Sequence, residues 1–388
     1  MGDLNATRAS LFQLIKASLR IGILGFGGPP AHIALLRKSF VQNKKWMSTT
    51  DFEEGIAAVN LLPGPASTQL TIYCGWFTRG PLGAFLAGIS FILPGFLIIV
   101  PLAMVFLATD LPLWLKATAL GASSTIPAIA LYSGYSLMPD GWKRIRENRI
   151  WRLRWLSYII IGVASVILTP VFLAPTILTC GLFEMFLSKP ATTRTNANSI
   201  VLPLAFFMAP FTVFISLAWI AIKVGALSYG GGFVIVPMMQ HDAVNIHHWL
   251  SKAQFLNAVT LGQITPGPVV LTVAVIGFAA AGIWGALFIT TIAFLPSFMF
   301  VIGGAKHLNK FRQSPKSQAF FRGAGPVTIG AICGSAVPLA SSLTFGWQWI
   351  FLILDLPLSI LVKRNPAILI LFFAAAGLVL ETLGVIHV

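Results

Sequence analysis

Pro63-Gly64-Pro65 and Pro266-Gly267-Pro268 set the same three residues inside two apolar stretches 203 positions apart. Proline removes a backbone donor and halts a helix, and glycine permits the turn that follows. A helix restarting after such a break presents free N–H groups and the positive end of its dipole, which holds an anion without a full counter-charge. Ser67 and Thr68 follow the first break and add hydroxyl donors, whereas Val269 and Val270 after the second do not. Asn60 and Gln263, each three residues before its break, are candidate neutral ligands; amides bonding freed carbonyls are the structural alternative. "GFGGPP" (Gly25, Phe26, Gly27, Gly28, Pro29, Pro30) and "SYGGG" (Ser228, Tyr229, Gly230, Gly231, Gly232) interrupt two further apolar segments, as a site lining or as packing glycine. Arg20 and Lys223 stand one turn before those interruptions, either to steer an anion electrostatically or to snorkel to the interface.

The titratable residues make no catalytic constellation. His32 follows the GFGGPP break and serves as a proton carrier or as a satisfied structural histidine. His241, His247 and His248 with Asp242 have the types of a metal cluster, but a solvated loop explains them better and no metal is expected. Glu53 and Glu54 open a half-helix, where carboxylates suit the N-terminus. With Asp355, and with Glu184 in another apolar segment, they are the candidates for coupling transport to protons. Cys74, Cys180 and Cys333 lie far apart, without a CxxC pair, and read as packing residues. The glycine pattern is no dinucleotide fingerprint, since its spacing is wrong and no βαβ unit surrounds it. No cofactor is expected, and an enzyme would need a cofactor site or a nucleophile with its base.

The elements that must position these residues are membrane helices. The chain has 388 residues, 56% hydrophobic and 10% charged, with mean hydropathy +0.85, a balance that a water-soluble domain cannot hide. Runs such as Leu82 to Leu107, Leu156 to Leu187 and Ile200 to Ile222 approach or exceed the ~20 residues that cross a bilayer. The net charge of +15 reads as cytoplasmic-loop charge rather than nucleic-acid binding, and a cationic pathway for an anion adds to it. The first apolar run carries Lys16 and Arg20, unlike a cleavable signal, and "MGDLNA" lacks the hydroxyl residue of a myristoylation site.

The breaks recur because the chain repeats. An offset of 203 pairs Arg20 with Lys223, Gly22 with Gly225, Phe26 with Tyr229, Trp46 with Trp249, Ser48 with Ser251 and Phe52 with Phe255. One deletion later, an offset of 202 pairs Gly80 with Gly282, Pro94 with Pro296 and Phe96 with Phe298. Two halves follow, residues 1–190 and 200–388. Equivalent loops carry opposite charge bias. Arg37, Lys38, Lys44 and Lys45 face only Lys252; Arg79 faces no cation; Lys116 faces Lys306, Lys310, Arg312, Lys316 and Arg322; the six cations from Lys143 to Arg154 face none. Under the positive-inside rule the halves are therefore inverted.

The expected fold is an all-α polytopic membrane protein with about ten transmembrane helices and one broken re-entrant hairpin in each half. The first half crosses at 11–36, 82–107, 115–138, 155–168 and 171–187, and its hairpin runs from Phe52 to Leu62, through the break, to Ala66 to Phe77. The second half crosses at 205–239, 284–303, 323–341, 348–361 and 366–385.

"GFGGPPAHIALL", "WMSTTDF", "LLPGPASTQL" and "GAFLAGISFILPGF", with second copies "YGGGFVIVPMM", "QITPGPVV" and "GALFITTIAFLPSF", resemble the chromate transporter family in its long, two-domain form. The resemblance covers nearly the whole chain. It implies two homologous halves of opposite orientation and export of chromate, with sulfate as a close analogue. It places function on Gly25 to Pro30, His32, Pro63 to Pro65, Gln69, Gly230 to Gly232 and Pro266 to Pro268. Asn60 departs from the glutamine common at that place. The expected partners are chromate or sulfate, membrane lipid and a second copy of the chain as a homodimer, with no nucleic acid. An oxyanion channel or a sulfate transporter is the alternative.

Overall fold

The computed structural model describes residues 9–60, 62–108, 111–143, 149–187, 212–228, 232–304, 314–362 and 366–386, and all regular structure among them is helical. The first half contains α1 (Leu11–Leu24), α2 (Pro29–Leu36), α3 (Thr49–Val59), α4 (Ala66–Phe106), α5 (Leu113–Ser123), α6 (Ile126–Lys143), α7 (Arg149–Leu168) and α8 (Leu173–Leu187). The second contains α9 (Thr212–Leu227), α10 (Val236–Gln240), α11 (Lys252–Ile264), α12 (Thr272–Gly304), α13 (Pro315–Ala340), α14 (Gly346–Val362) and α15 (Pro366–Thr382). Five described segments are long and apolar enough to cross a membrane: Ala66–Phe106, Arg149–Leu168, Pro170–Leu187, Val269–Gly304 and Pro315–Ala340. Their outward side chains, among them Leu97, Ile160, Phe186 and Met299, are large, apolar and exposed, as lipid contact requires.

Equivalent residues of the two halves take the same backbone conformation. A π-helical turn follows α2 and another follows α10. Each ends on a left-handed residue that is not glycine, Lys45 at φ 51° and His248 at φ 53°. The next N–H then reaches back, Trp46 to the Phe40 carbonyl at 2.8 Å and Trp249 to the Ala243 carbonyl at 2.9 Å. Ser48 and Ser251 cap α3 and α11 through the N–H groups of Asp51 and Gln254, satisfying donors that a helix start leaves open. Phe52 and Phe255, one turn further on, are wholly buried.

The expected hairpin forms with shifted limits. α3 ends at Val59 rather than Leu62, and the second arm runs from Ala66 to a kink at Arg79 and Gly80. There the chain turns back within α4, and Gly75 packs so closely on Gly83 that a side chain would strike its carbonyl. α12 repeats this at Ala281 and Gly282, with Gly277 against Gly285. As expected from GFGGPP and SYGGG, the crossing at 11–36 is divided into α1 and α2, and that at 205–239 into α9 and α10. The crossing at 115–138 differs: it is α5 and α6, separated at Ser124 and Thr125, whereas the equivalent α13 is continuous.

Packing interleaves the halves. α4 lies against α12, α13 runs between α7 and α8 of the first half and touches α6, and α15 packs on α5. No half closes its core alone.

Gly80 (φ 64°, ψ −155°) and Gly282 (φ 61°, ψ −151°) occupy backbone space that is essentially glycine-only, at an expected cost to other residues of about 1–3 kcal/mol. A methyl at either position meets open space, so only the strain acts. Gly80→Ala and Gly282→Ala should each lower the thermal midpoint of the purified protein in detergent. Gly303→Ala, also into open space but within a regular helix, should leave it unchanged or raise it. Equal midpoints for all three variants would refute the argument.

A candidate anion site where the breaks meet

α1 stops at Leu24 because Gly25 to Gly28 leave helical geometry, Gly27 at φ 97° and Gly28 at φ 75°, and Pro29 opens α2. The freed Gly25 carbonyl finds two donors. His32 Nε2–H lies 2.9 Å away, and the N–H of Gly267, from the second PGP break, lies 3.0 Å away. His32 is wholly buried, packs edge-on to Phe91 at 5.0 Å, and its Nδ1 is without a partner. Donation from Nε2 leaves Nδ1 as a lone-pair acceptor, so His32 acts here as a clamp on broken backbone.

The first PGP break is organised by its own half and faced by the other. Gln69 is buried and its Nε2 donates to the Pro63 carbonyl at 2.7 Å, so the residue implicated only by resemblance closes the turn. A side-chain carbon on Gly64 would lie 3.0 Å from Ser297 Oγ in α12 and 3.2 Å from the Gly225 carbonyl in α9. Gly64, Pro65, Ser67 and Thr68 are buried, while Pro63 is half-buried. Around the second break Pro266, Gly267 and Pro268 are all buried, and a carbon on Gly95 would overlap the Pro266 carbonyl. The breaks therefore meet pairwise across the halves: Gly25 with Gly267, and Gly64 with the end of α9.

The equivalent amides part company. Asn60 caps α3 and is exposed, whereas Gln263 is buried with its Nε2 unpartnered. Tyr229, Gly230 and Gly231 lie outside the described residues, as do the loop cations Lys306, Lys310 and Arg312. The two cations also differ. Arg20 is exposed, but Lys223 is paired with Asp242 and lies over the Trp219 ring at 5.5 Å, so its charge is already balanced. Asp242 thus serves Lys223 rather than the neighbouring histidines, and His247 stacks on Trp249 at 4.4 Å.

Of the carboxylates, Glu53 pairs with Arg37 at 3.0 Å on the surface; it and Glu54 do not open the half-helix as expected, since α3 starts at Thr49 and the acid of its first turn is Asp51. Glu184 accepts from Tyr158 at 2.8 Å and lies 3.5 Å from Arg154, which ties α7 to α8. Asp355 stands apart: it is wholly buried in α14, and its nearest polar group is the buried Ser359 hydroxyl one turn further on.

Ser228, from the SYGGG break, is fully buried with an unpartnered hydroxyl, and so is Ser297, which was not singled out from sequence; Ser18 and Thr290 are buried and unpartnered as well. Ser297 had a legible signal, since it stands where the first copy of the motif has Gly95.

The profile of the chromate transporter family matches residues 12–185 and 215–378, one region in each half. The chromate transport protein of Cupriavidus metallidurans is 32% identical over 371 residues, covering 94% of this chain and 88% of that protein. A probable chromate transport protein of Synechococcus elongatus is 33% identical, covering 85% of this chain and 84% of its own length. An uncharacterized transporter of Bacillus subtilis matches at 33% over 48% of this chain and 93% of itself, so it has about the length of one half. No solved structure matches the chain. With both halves matched and relatives of this identity aligned along most of its length, the chain is a multi-pass membrane protein that belongs to the chromate transporter family.

Proposed function

We propose that the protein is a secondary transporter that exports chromate, with sulfate or a related tetrahedral oxyanion as an analogue, by alternating access between two inverted halves. The observation that carries this reading is the meeting of broken backbone from both halves, lined by buried polar atoms without partners. Irregular backbone at membrane depth persists only where protein or a cavity satisfies it, and transporters of inverted repeats bind substrate at such discontinuities. The relatives' names supply chromate as the substrate. The alternating charge bias of equivalent loops supports inversion.

A difference in exposure supports alternating access. Residues 232–240 are buried without exception, whereas 29–36 alternate between buried and accessible. α10 leans on α13 and α11 packs on α5 and α15, but α2 and α3 rest on α4 and the π-helical turn between them. The first-half copy is thus more exposed than its counterpart, as two unequal states of one pseudo-symmetric core would be. Alternating access exchanges the two conditions. Asp355, buried in an apolar helix without a counter-charge among the described residues, is the group proposed to carry a coupled proton. Export also follows the membrane potential, since a dianion leaving a negative interior gains ~4.6 kcal/mol per 100 mV.

Everted vesicles test the reading directly. They should accumulate radiolabelled chromate saturably, faster with a potential, and sulfate should compete; vesicles no better than empty ones, with the protein shown to be inserted, would overturn it. Pro63→Ala and Pro266→Ala restore a backbone donor and free φ at the first residue of each break, loosening its geometry, so each should slow uptake by about tenfold or more, equivalent to 1.4 kcal/mol. Full activity in both would remove the breaks from the mechanism.

Arg20→Glu should slow chromate entry most at low ionic strength, because exposed charges act within a Debye length of about 10 Å at 0.1 M salt. An equal loss at all salt concentrations would argue against steering. With the native cysteines replaced by alanine, Asn60→Cys and Gln263→Cys should label from opposite faces, the second only when chromate cycles the protein. Labelling of both from one face would exclude the exchange.

A further inference from the structure

The two pseudo-equivalent crossings are built from different chemistry. At the second break, the Gly267 N–H is bonded to the Gly25 carbonyl and Gly95 lies directly on the Pro266 carbonyl, so backbone closes on backbone, although the Gln263 amide three residues earlier keeps an unpartnered Nε2. The side chain that opens α12 one position before Thr272 is Leu271, which offers nothing to an anion. His32 adds no donor, since its one N–H is engaged and Nδ1 is an acceptor.

At the first break each of these features is replaced by a donor. Gly64, the counterpart of Gly267, donates no hydrogen bond among the described residues. Ser297 stands in place of Gly95 and Thr68 in place of Leu271. Both are 0% exposed, and both hydroxyls are unpartnered. Ser297 Oγ points at the break, 3.0 Å from where a side-chain carbon of Gly64 would sit. Thr290 in α12 is also buried and unpartnered, but most threonines buried in these helices spend their hydroxyl on their own helix. Thr71 donates to the Ser67 carbonyl at 2.9 Å, Thr260 to Leu256 at 2.8 Å and Thr328 to Ala324 at 2.9 Å. Thr68, in the first turn of α4, has no such bond, although a buried hydroxyl left unpaired is a standing cost. Ser228, three residues beyond Gly225, adds a third buried and unpartnered hydroxyl at the end of α9. The N-terminus of the 41-residue α4 supplies backbone N–H groups and a positive dipole end at the same place.

We infer that each chain binds a single tetrahedral oxyanion, at the Pro63–Pro65 break only, with the hydroxyls of Thr68 and Ser297 as ligands beside the α4 N-terminus. The inference rests on the anion-transporter reading above and assigns its substrate to one crossing rather than to both. All the donors are neutral, so the site recognises an oxyanion by hydrogen-bond count and size.

The test is equilibrium binding of radiolabelled chromate, and separately of sulfate, to the purified full chain in lipid nanodiscs, with thermal unfolding alongside. Wild type should bind one equivalent per chain. Ser297→Ala and Thr68→Val should each weaken binding by about tenfold or more. Neither variant removes a protein hydrogen bond, so their ligand-free midpoints should be unchanged or higher, while the rise in midpoint caused by chromate should shrink. Thr328→Val, which removes a hydroxyl bonded within α13, should bind as wild type does. Two equivalents per chain would overturn the single-site inference and leave the anion reading standing. Wild-type affinity in both Ser297→Ala and Thr68→Val would overturn the ligand assignment. Absence of chromate and sulfate binding in the wild-type chain would overturn the anion reading, and the inference with it.

Discussion

Where α1 ends, one carbonyl oxygen has to be satisfied in a region without bulk water. Gly25 meets this demand with His32 Nε2–H from its own half and the Gly267 N–H from the other. Each unmatched backbone group in hydrocarbon costs several kcal/mol, so neither break is stable until the opposite half arrives. Much of the surrounding composition follows from that condition. Gly22 and Gly95 carry no side chain because the Phe91 and Pro266 carbonyls lie where one would be. His32 is fixed between the Gly25 carbonyl and the Phe91 ring. The same demand makes folding of the halves mutual, as the passage of α13 between α7 and α8 also does.

The copies share backbone but not surroundings. Lys45 and His248, or Gly80 and Gly282, differ by only a few degrees in φ. Local sequence with a proline, a glycine and a serine cap is enough to dictate such turns. Tertiary contacts then separate the copies. Lys223 is neutralised by Asp242, but the position equivalent to Asp242 is Ser39 and Arg20 keeps its exposure. Divergence of side chains on a conserved backbone is how a duplicated scaffold can assign different tasks to equivalent places.

That division also sets what could be read from the amino-acid sequence. The PGP breaks and the interrupted first helix were legible because each is a local instruction with a known backbone consequence. The offset of 202 to 203 residues was legible because aligned Trp, Phe and PGP triplets are rarely coincidental. Helix limits were less so: the hairpin arm ended early because Asn60 caps it, and the separation of α5 from α6 at Ser124 and Thr125 follows from Pro127, a stop signal that the reading of one continuous crossing passed over. Long-range pairing was not legible at all. Asp242 looked like part of a histidine cluster, and only the return of the chain over 19 residues brings it to Lys223. Gln69 turned out to hold the Pro63 carbonyl, which places it under the break as support.

Neutral donors suit the proposed task better than a buried cation would. A fixed positive charge in a low-dielectric core attracts a dianion strongly, and the same attraction slows its release. Passage requires binding strong enough to replace hydration and weak enough to reverse. The second half's cation next to its break is already cancelled by Asp242, so what remains at the meeting point is hydroxyls, amides and helix ends. Such groups replace water around an oxyanion without trapping it. Direction then need not come from the site: on the proposed reading it comes from the membrane potential, with Arg20 concentrating the anion at the exposed approach.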